Sequence, residues 1–457
     1  MTTPHEYAQT NAEDYRSQLR DLIRMPSVST DPAYADDVRK TAEWLVAHIN
    51  NIGLSAELIE TDKHPLVYAD WMNAGDSAPT ILIYGHYDVQ PAVMEDGWDH
   101  DPFDPIEKDG KIYARGADDN KGQFFAHIKA IESILKADGK LTFNVKFILE
   151  GEEESGGKSI AKFVPENTDK LKADVCVVSD SSFLDENTPS ILYGLRGSVA
   201  MELHITGPSS DLHSGSYGGV VHNPLQALTE IVSQLHNKDG HITVPGFYDD
   251  VVVLSDDERA ELAKITWTDE AFKAETGAPQ AWGESEFTYR ERVGARPTLE
   301  INGLAGGYAG AGFKTVLPSK ALAKISCRLV ANQDPKKIYA LIKKYVAEIT
   351  PPTVTSELVY LSSGYSALVD LKDPALQAAV TAFEKGFGTK PVFMREGGSI
   401  PVVADFQKHL GLPVVLMGFG LPTNGIHGPN EHFVIDMFHK GIDTAIHFYH
   451  DYVAQNQ

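Results

Sequence analysis

Apolar positions along the chain recur with two different periods. Residues 13–25 and 36–52 carry Leu19, Leu22 and Ile23, then Ala42, Leu45, Val46 and Ile49, at helical spacing. Short β-rich runs follow at 80-TILIY-84, 143-FNVKFILE-150, 173-ADVCVV-178 and, much later, 412-LPVVLM-417. Between the first two runs, KGQFFAHIKAIESILKADG places Phe124, Ile128, Ile131 and Leu135 on one helical face. This β-α-β rhythm predicts an α/β domain with a mostly parallel sheet and helices on both faces.

From Gly194 onward the pattern changes. SVAMELHITG and KALAKISCRLV alternate apolar and polar residues, as half-exposed strands do. Each leads into a helical pattern, NPLQALTEIVSQLH and DPKKIYALIKKYVAEI. Two such β-α units predict a small ferredoxin-like α+β domain. Residues 237–300 between them are polar and weakly periodic, and are expected to form an insertion with its own short helices. The β-α rhythm resumes near residue 361, so the expected organisation is a first domain split by a second: 1–193 and 361–457 around 194–360.

Composition narrows the function. A chain of 457 residues with 42% hydrophobic content can bury a sizeable core. The net charge of -24 argues against a nucleic-acid partner or an anionic membrane surface, and for a small-molecule substrate. No stretch approaches the roughly 18 apolar residues of a membrane span, and the start MTTPHEYAQTNAEDY has neither the basic flank nor the apolar segment of a secretory signal. The expected location is the cytoplasm. Cys176 and Cys327 lie in separate strand-like runs and read as buried thiols.

In an open parallel sheet, ligands gather at the carboxyl ends of the strands. TILIYGHYDV delivers His86 and Asp88 there; RGADDNKG delivers Asp118 and Asp119; KFILEGEEESGG delivers Glu152, Glu153 and Glu154; ADVCVVSD delivers Asp180. The run LPVVLMGFG precedes TNGIHGPNE and so His427. Imidazole and carboxylate are zinc ligands, and two zinc ions about 3.5–4 Å apart need a bridging carboxylate with further donors for each ion. Among the three glutamates one can ligate, a neighbour can act as general base, and the third can be solvated. Other chemistries lack their residues. A phosphate-binding loop ending in Gly157-Lys158-Ser159 would require glycine at position 152, where Glu152 stands. No G-x-S-x-G elbow occurs, and His5-Glu6 lacks the second histidine of a zincin helix.

The ordered motifs HYDVQP, ARGADDNKG, LEGEEESGG, VVSD, DLHSGSYGG, REGGSIPV and GIHGPNE resemble the di-zinc family of aminoacylase, glutamate carboxypeptidase and the carnosinase-type dipeptidases. The later motifs are most similar to its cytosolic nonspecific dipeptidase branch. The resemblance implies a hydrolase with two zinc ions per subunit, or manganese in their place. His86 and Asp180 would hold one ion, Glu154 and His427 the other, and Asp119 would bridge them. Asp88 would orient His86, Glu153 would be the general base, and Asp118 and Glu152 would stand aside. It further implies that the 194–360 segment is a lid and dimerisation domain of a homodimer. His213, Thr315, Arg328, Ser399 and His427 would contact the substrate, with Gly397 and Gly398 beside Ser399. The expected substrate is a dipeptide, the alternative an N-acyl amino acid.

Overall fold

The computed structural model describes residues 2–398 and 400–456, and the chain divides into two compact units. The first comprises residues 1–193, 369–394 and 405–457, the second residues 194–368 and 395–404.

The first unit is built on a sheet whose centre is parallel. Strand Thr80–His86 runs parallel to Asn144–Glu150 on one side and to Val175–Val178 on the other, and Val414–Leu416 continues in parallel beside Val175–Val178. Antiparallel strands Leu66–Trp71 and Ser55–Ile59 extend the sheet beyond Asn144–Glu150. The central strands are buried along nearly their whole length, as strands covered on both faces must be. Helix Lys121–Asp138 packs against strand Thr80–His86 and against helices Pro4–Thr10, Ala12–Ile23 and Ile435–Gln455. That crowding buries its polar side as well, including Gln123, His127, Lys129 and Ser133. Lys129 is accommodated by Glu132 at 2.7 Å, His48 at 2.7 Å and the face of Tyr15.

The second unit carries a four-stranded antiparallel sheet in the order Thr298–Gly306, Lys320–Leu329, Gly197–Thr206, Thr355–Gly364. Helices Pro224–Ser233 and Pro335–Ile349 pack on it, which completes the β-α-β-β-α-β path of a ferredoxin-like fold. Val199, Met201, Leu203 and Ile205, alternate residues of one strand, form its core with Ile231, Ile338 and Ile342. Strand Thr298–Gly306 starts inside the stretch expected to be an insertion. It is an edge strand with few inward apolar residues and with Gly303 at a register shift, so it shows little alternation. The second unit also runs past 360, because Thr355–Gly364 pairs with Gly197–Thr206. The remainder of the 237–300 stretch holds the short helices Asp256–Leu262, Asp269–Thr276 and Tyr289–Ala295.

Cys176 and Cys327 are free and buried, and burial pushes both thiols up. Among the described residues, no helix is long and apolar enough to cross a membrane.

Candidate metal centre

Strand Thr80–His86 carries His86 to its end, where the side chain is 1% exposed. His86 Nδ1 lies 3.1 Å from the Asp88 carbonyl oxygen and 3.5 Å from Asp88 Oδ1, which assigns the ring proton to Nδ1. The lone pair of Nε2 then points toward Asp119 Oδ1 at 3.0 Å and Asp180 Oδ1 at 3.8 Å. This buried Nε2 makes no hydrogen bond among the described residues. An imidazole nitrogen facing two carboxylates favours a cation, a proton or, once the nitrogen is neutral, a metal ion.

A second triad shares Asp119. His427 Nε2 lies 2.9 Å from Asp119 Oδ2 and 3.3 Å from Glu154 Oε1. Asp119 thus turns one oxygen to each histidine. Within each triad, His86–Asp119–Asp180 and Asp119–Glu154–His427, the donor atoms lie within 4.8 Å of one another. The electrostatics also favour positive charge here. Burial alone would lower the His86 pKa, but the Asp119, Asp180 and Asp88 carboxylates raise it well above the imidazole range. Asp119 and Glu154 likewise push His427 up to about 10. Burial opposes ionisation of Asp119, yet His427 and His86 hold its carboxyl below the usual range. The paired donors therefore fit two divalent ions bridged by one carboxylate.

The three neighbouring glutamates have three environments. Glu152 is buried and turns away from the triads, accepting from the His64 amide at 2.9 Å and the Ser159 hydroxyl at 2.6 Å. Glu153 and Glu154 occupy the 3-10 turn Glu153–Ser155, and their amides donate to the two Asp88 carboxylate oxygens at 3.2 and 3.1 Å. One fully buried carboxylate, Asp88, therefore fixes both His86 and the turn that follows the adjacent strand. Burial, with Asp180, Glu154 and Asp119 nearby, pushes the Glu153 carboxyl up to about 7. Asp118 points elsewhere, accepting from Gln123 at 3.0 Å and Asn424 at 2.8 Å.

Three supporting residues escaped the reading of the sequence. Glu431, fully buried, accepts from the Gly116, Asp118 and Asp119 amides at 3.1 Å each and from Arg115 at 2.7 Å. It cradles the loop that presents Asp119. Asn120 donates to Asp180 Oδ1 at 3.0 Å and to the Ser179 carbonyl at 2.6 Å. Gln90 donates to Glu154 Oε2 at 2.7 Å. All three sit inside quoted motifs, directly beside or close to donors, and that adjacency was the available signal.

The remaining candidates lie in the second unit. His213 is paired with Val316 across a short antiparallel ladder, and the Ser214 amide donates to the Thr315 carbonyl at 3.1 Å, so that His213 and Thr315 are neighbours on an exposed edge. His213 Nδ1 accepts from the Gly215 amide at 3.0 Å. Arg328 is half-buried on strand Lys320–Leu329, opposite Ser198 and Thr298. Ser399 lies outside the described residues.

A parallel sheet that presents two donor triads sharing a carboxylate at its strand ends is the framework of a metal-dependent hydrolase. The model of Peptidase family M20/M25/M40 matches residues 82–451, and the chain belongs to that family. It is a metallopeptidase. The Cys-Gly metallodipeptidase dug1 of Schizosaccharomyces pombe is 32% identical over 98% of this chain and 97% of its own length. The human Beta-Ala-His dipeptidase is 30% identical over 90% of this chain and 81% of its own length. Among solved structures, the metallo-carboxypeptidase Sso-CP2 of Sulfolobus solfataricus superposes with a TM-score of 0.84 at 32% identity, covering 96% of this chain and 99% of the other.

Proposed function

We propose that the protein is a zinc-dependent dipeptidase, with His86 and Asp180 holding one ion, Glu154 and His427 the other, and Asp119 between them. The observation that carries the metal assignment is the division of the Asp119 oxygens, one toward each histidine. The dipeptide substrate is supported by relatives named for Cys-Gly and Beta-Ala-His dipeptides that align over most of this chain. Manganese can replace zinc at such a donor set.

When bound, the metal pair polarises the scissile carbonyl and makes a water acidic enough to deprotonate near neutral pH. The chain's own groups do the rest. Glu153 accepts a proton from the attacking water and returns it to the leaving amine. Asp88 holds Glu153 in position through its backbone amide and holds the His86 ring in one tautomer. Glu431 and Asn120 keep Asp119 and Asp180 from relaxing away from the donor positions. In the second unit, Arg328 offers a planar pair of donors suited to a free carboxylate, and His213, Thr315 and Ser399 offer polar groups for the amide and the oxyanion. We assign that unit the role of lid and dimerisation domain in a cytoplasmic homodimer.

The test is a hydrolysis panel of dipeptides, N-acetyl amino acids and N-succinyl amino acids with added zinc or manganese. Cleavage of dipeptides is expected. Turnover of the acyl amino acids alone would replace this reading with a deacylase.

A further inference from the structure

The amino-terminal helix Pro4–Thr10 lies against the carboxy-terminal helix Ile435–Gln455 within the first unit. Where they meet, His5 Nδ1 bonds to Asp443 Oδ1, and His447 Nε2 lies 3.7 Å from Asp443 Oδ2. The two imidazole centroids are 4.2 Å apart with planes tilted by 35°. One donor atom from each of the three residues falls within 4.8 Å of the others. His5 lacks a second histidine along its own helix. The structure supplies one from the opposite end of the chain.

We infer that His5, Asp443 and His447 form a further divalent-metal site, of the zinc class, that clips the first helix to the last. Asp443 and His447 are four residues apart on one helix and so share a face, the geometry that lets two side chains bind one ion. Two imidazoles and a carboxylate make a complete three-residue zinc donor set, leaving one position for water. The imidazoles are too close for both to carry a proton comfortably. The nearby cation Lys385 is engaged by Asp451 at 2.6 Å. The three side chains are 26%, 32% and 25% exposed, open enough for an ion to enter. A cavity of about 370 Å³ lined by His5, Asp436, His439 and Asp443 adjoins them. The strongly negative chain concentrates cations around it. An ion bound here would stabilise the folded chain by binding it and not the unfolded one.

The inference is independent of the dipeptidase reading. Its test is equilibrium dialysis of the tag-free holoenzyme, its catalytic centre already loaded, against buffered Zn2+. One further equivalent is expected. His447→Ala and His5→Ala should each weaken it by roughly tenfold or more, the loss that follows when a metal site is stripped of a supporting group. His450→Ala, on the same helix but outside the triad, should leave it unchanged. Added zinc should raise the melting temperature of the parent and not that of the His447→Ala variant, while peptidase turnover stays level in both. Absence of a further equivalent in the parent, or equal affinity in parent and the His5→Ala variant, would overturn the site.

Discussion

His86, Asp180 and Asp119 stand at strand ends or in a loop strapped down by buried hydrogen bonds, whereas His427 reaches the shared carboxylate from a turn of left-handed backbone. The contrast is visible in exposure: the His86 side chain is 1% exposed and that of His427 is 54%. Asp88, Asn120 and Glu431 brace the first half from behind. The second half is braced at Glu154, by Gln90 and by the amide bond to Asp88, while His427 adopts φ 61° between Gly425 and Gly428. The sheet therefore supplies one preformed half-site, and a loop closes the other. A preformed half should hold its ion more tightly, because less ordering accompanies binding.

The most severe way to break this contrast is to remove what the halves share. Asp119→Ala should abolish activity and lower the affinity for both ions, since each triad loses a donor. Asp118→Asn should keep both ions, because Asp118 binds Gln123 and Asn424 instead. Metal analysis after dialysis gives the ranking, and the reverse order would move the bridge by one residue.

Next in size is the loss of the proposed base. Glu153→Gln should lower turnover by about 10²–10⁴ while metal content remains that of the parent. Loss of an ion in this variant would show that Glu153 is a ligand and would exchange its role with that of Glu154.

The contrast itself is sharpened by separating the two histidines. His427→Ala should retain about one ion and destabilise the metal-free chain less than His86→Ala does, because its pairing with Asp119 and Glu154 is more than half exposed and screened by solvent. His86→Ala should cost the metal-free chain roughly 1–3 kcal/mol, because its buried partners are left unsatisfied. Equal chemical-denaturation midpoints for the two variants would contradict the division into a preformed and a loop-closed half. Glu431→Gln, which weakens the cradle under Asp119 without touching a donor, should lower metal affinity by about 10–100-fold. An unchanged affinity would make Glu431 a purely structural residue.

What could be read from the sequence follows the same division. The parallel strands announced themselves because strands buried on both faces are continuous apolar runs, and their ends then ranked His86 and Asp180 by position alone. His427 has a looser anchor. Nine residues lie between it and Met417, just past strand Val414–Leu416, so the strand pointed to it only at a distance and its motif carried the rest. The edge strand Thr298–Gly306 went unseen because an edge half open to solvent needs no apolar alternation. Glu431 and Asn120 stayed hidden for another reason. Bracing carboxylates and amides are identified by the backbone groups they meet, and those meetings are set by tertiary structure.

The smallest expected effect on activity concerns the first of the three glutamates, whose crowding would otherwise be unfavourable. Glu152 faces away from both triads and is 3% exposed, so its charge must be met by donors. The His64 amide, the Ser159 hydroxyl and, at 3.4 Å, the Ser159 amide provide them, joining the loop before strand Leu66–Trp71 to the start of helix Lys158–Glu166. Glu152→Ala should therefore leave metal content and the turnover number close to those of the parent, while the unfolding free energy falls by about 1–3 kcal/mol as buried donors lose their acceptor. Denaturant titration and metal analysis on the same preparation separate the two readouts. A Glu152→Ala variant that unfolds like the parent but loses turnover would place this carboxylate in the catalytic machinery and shift the base by one residue.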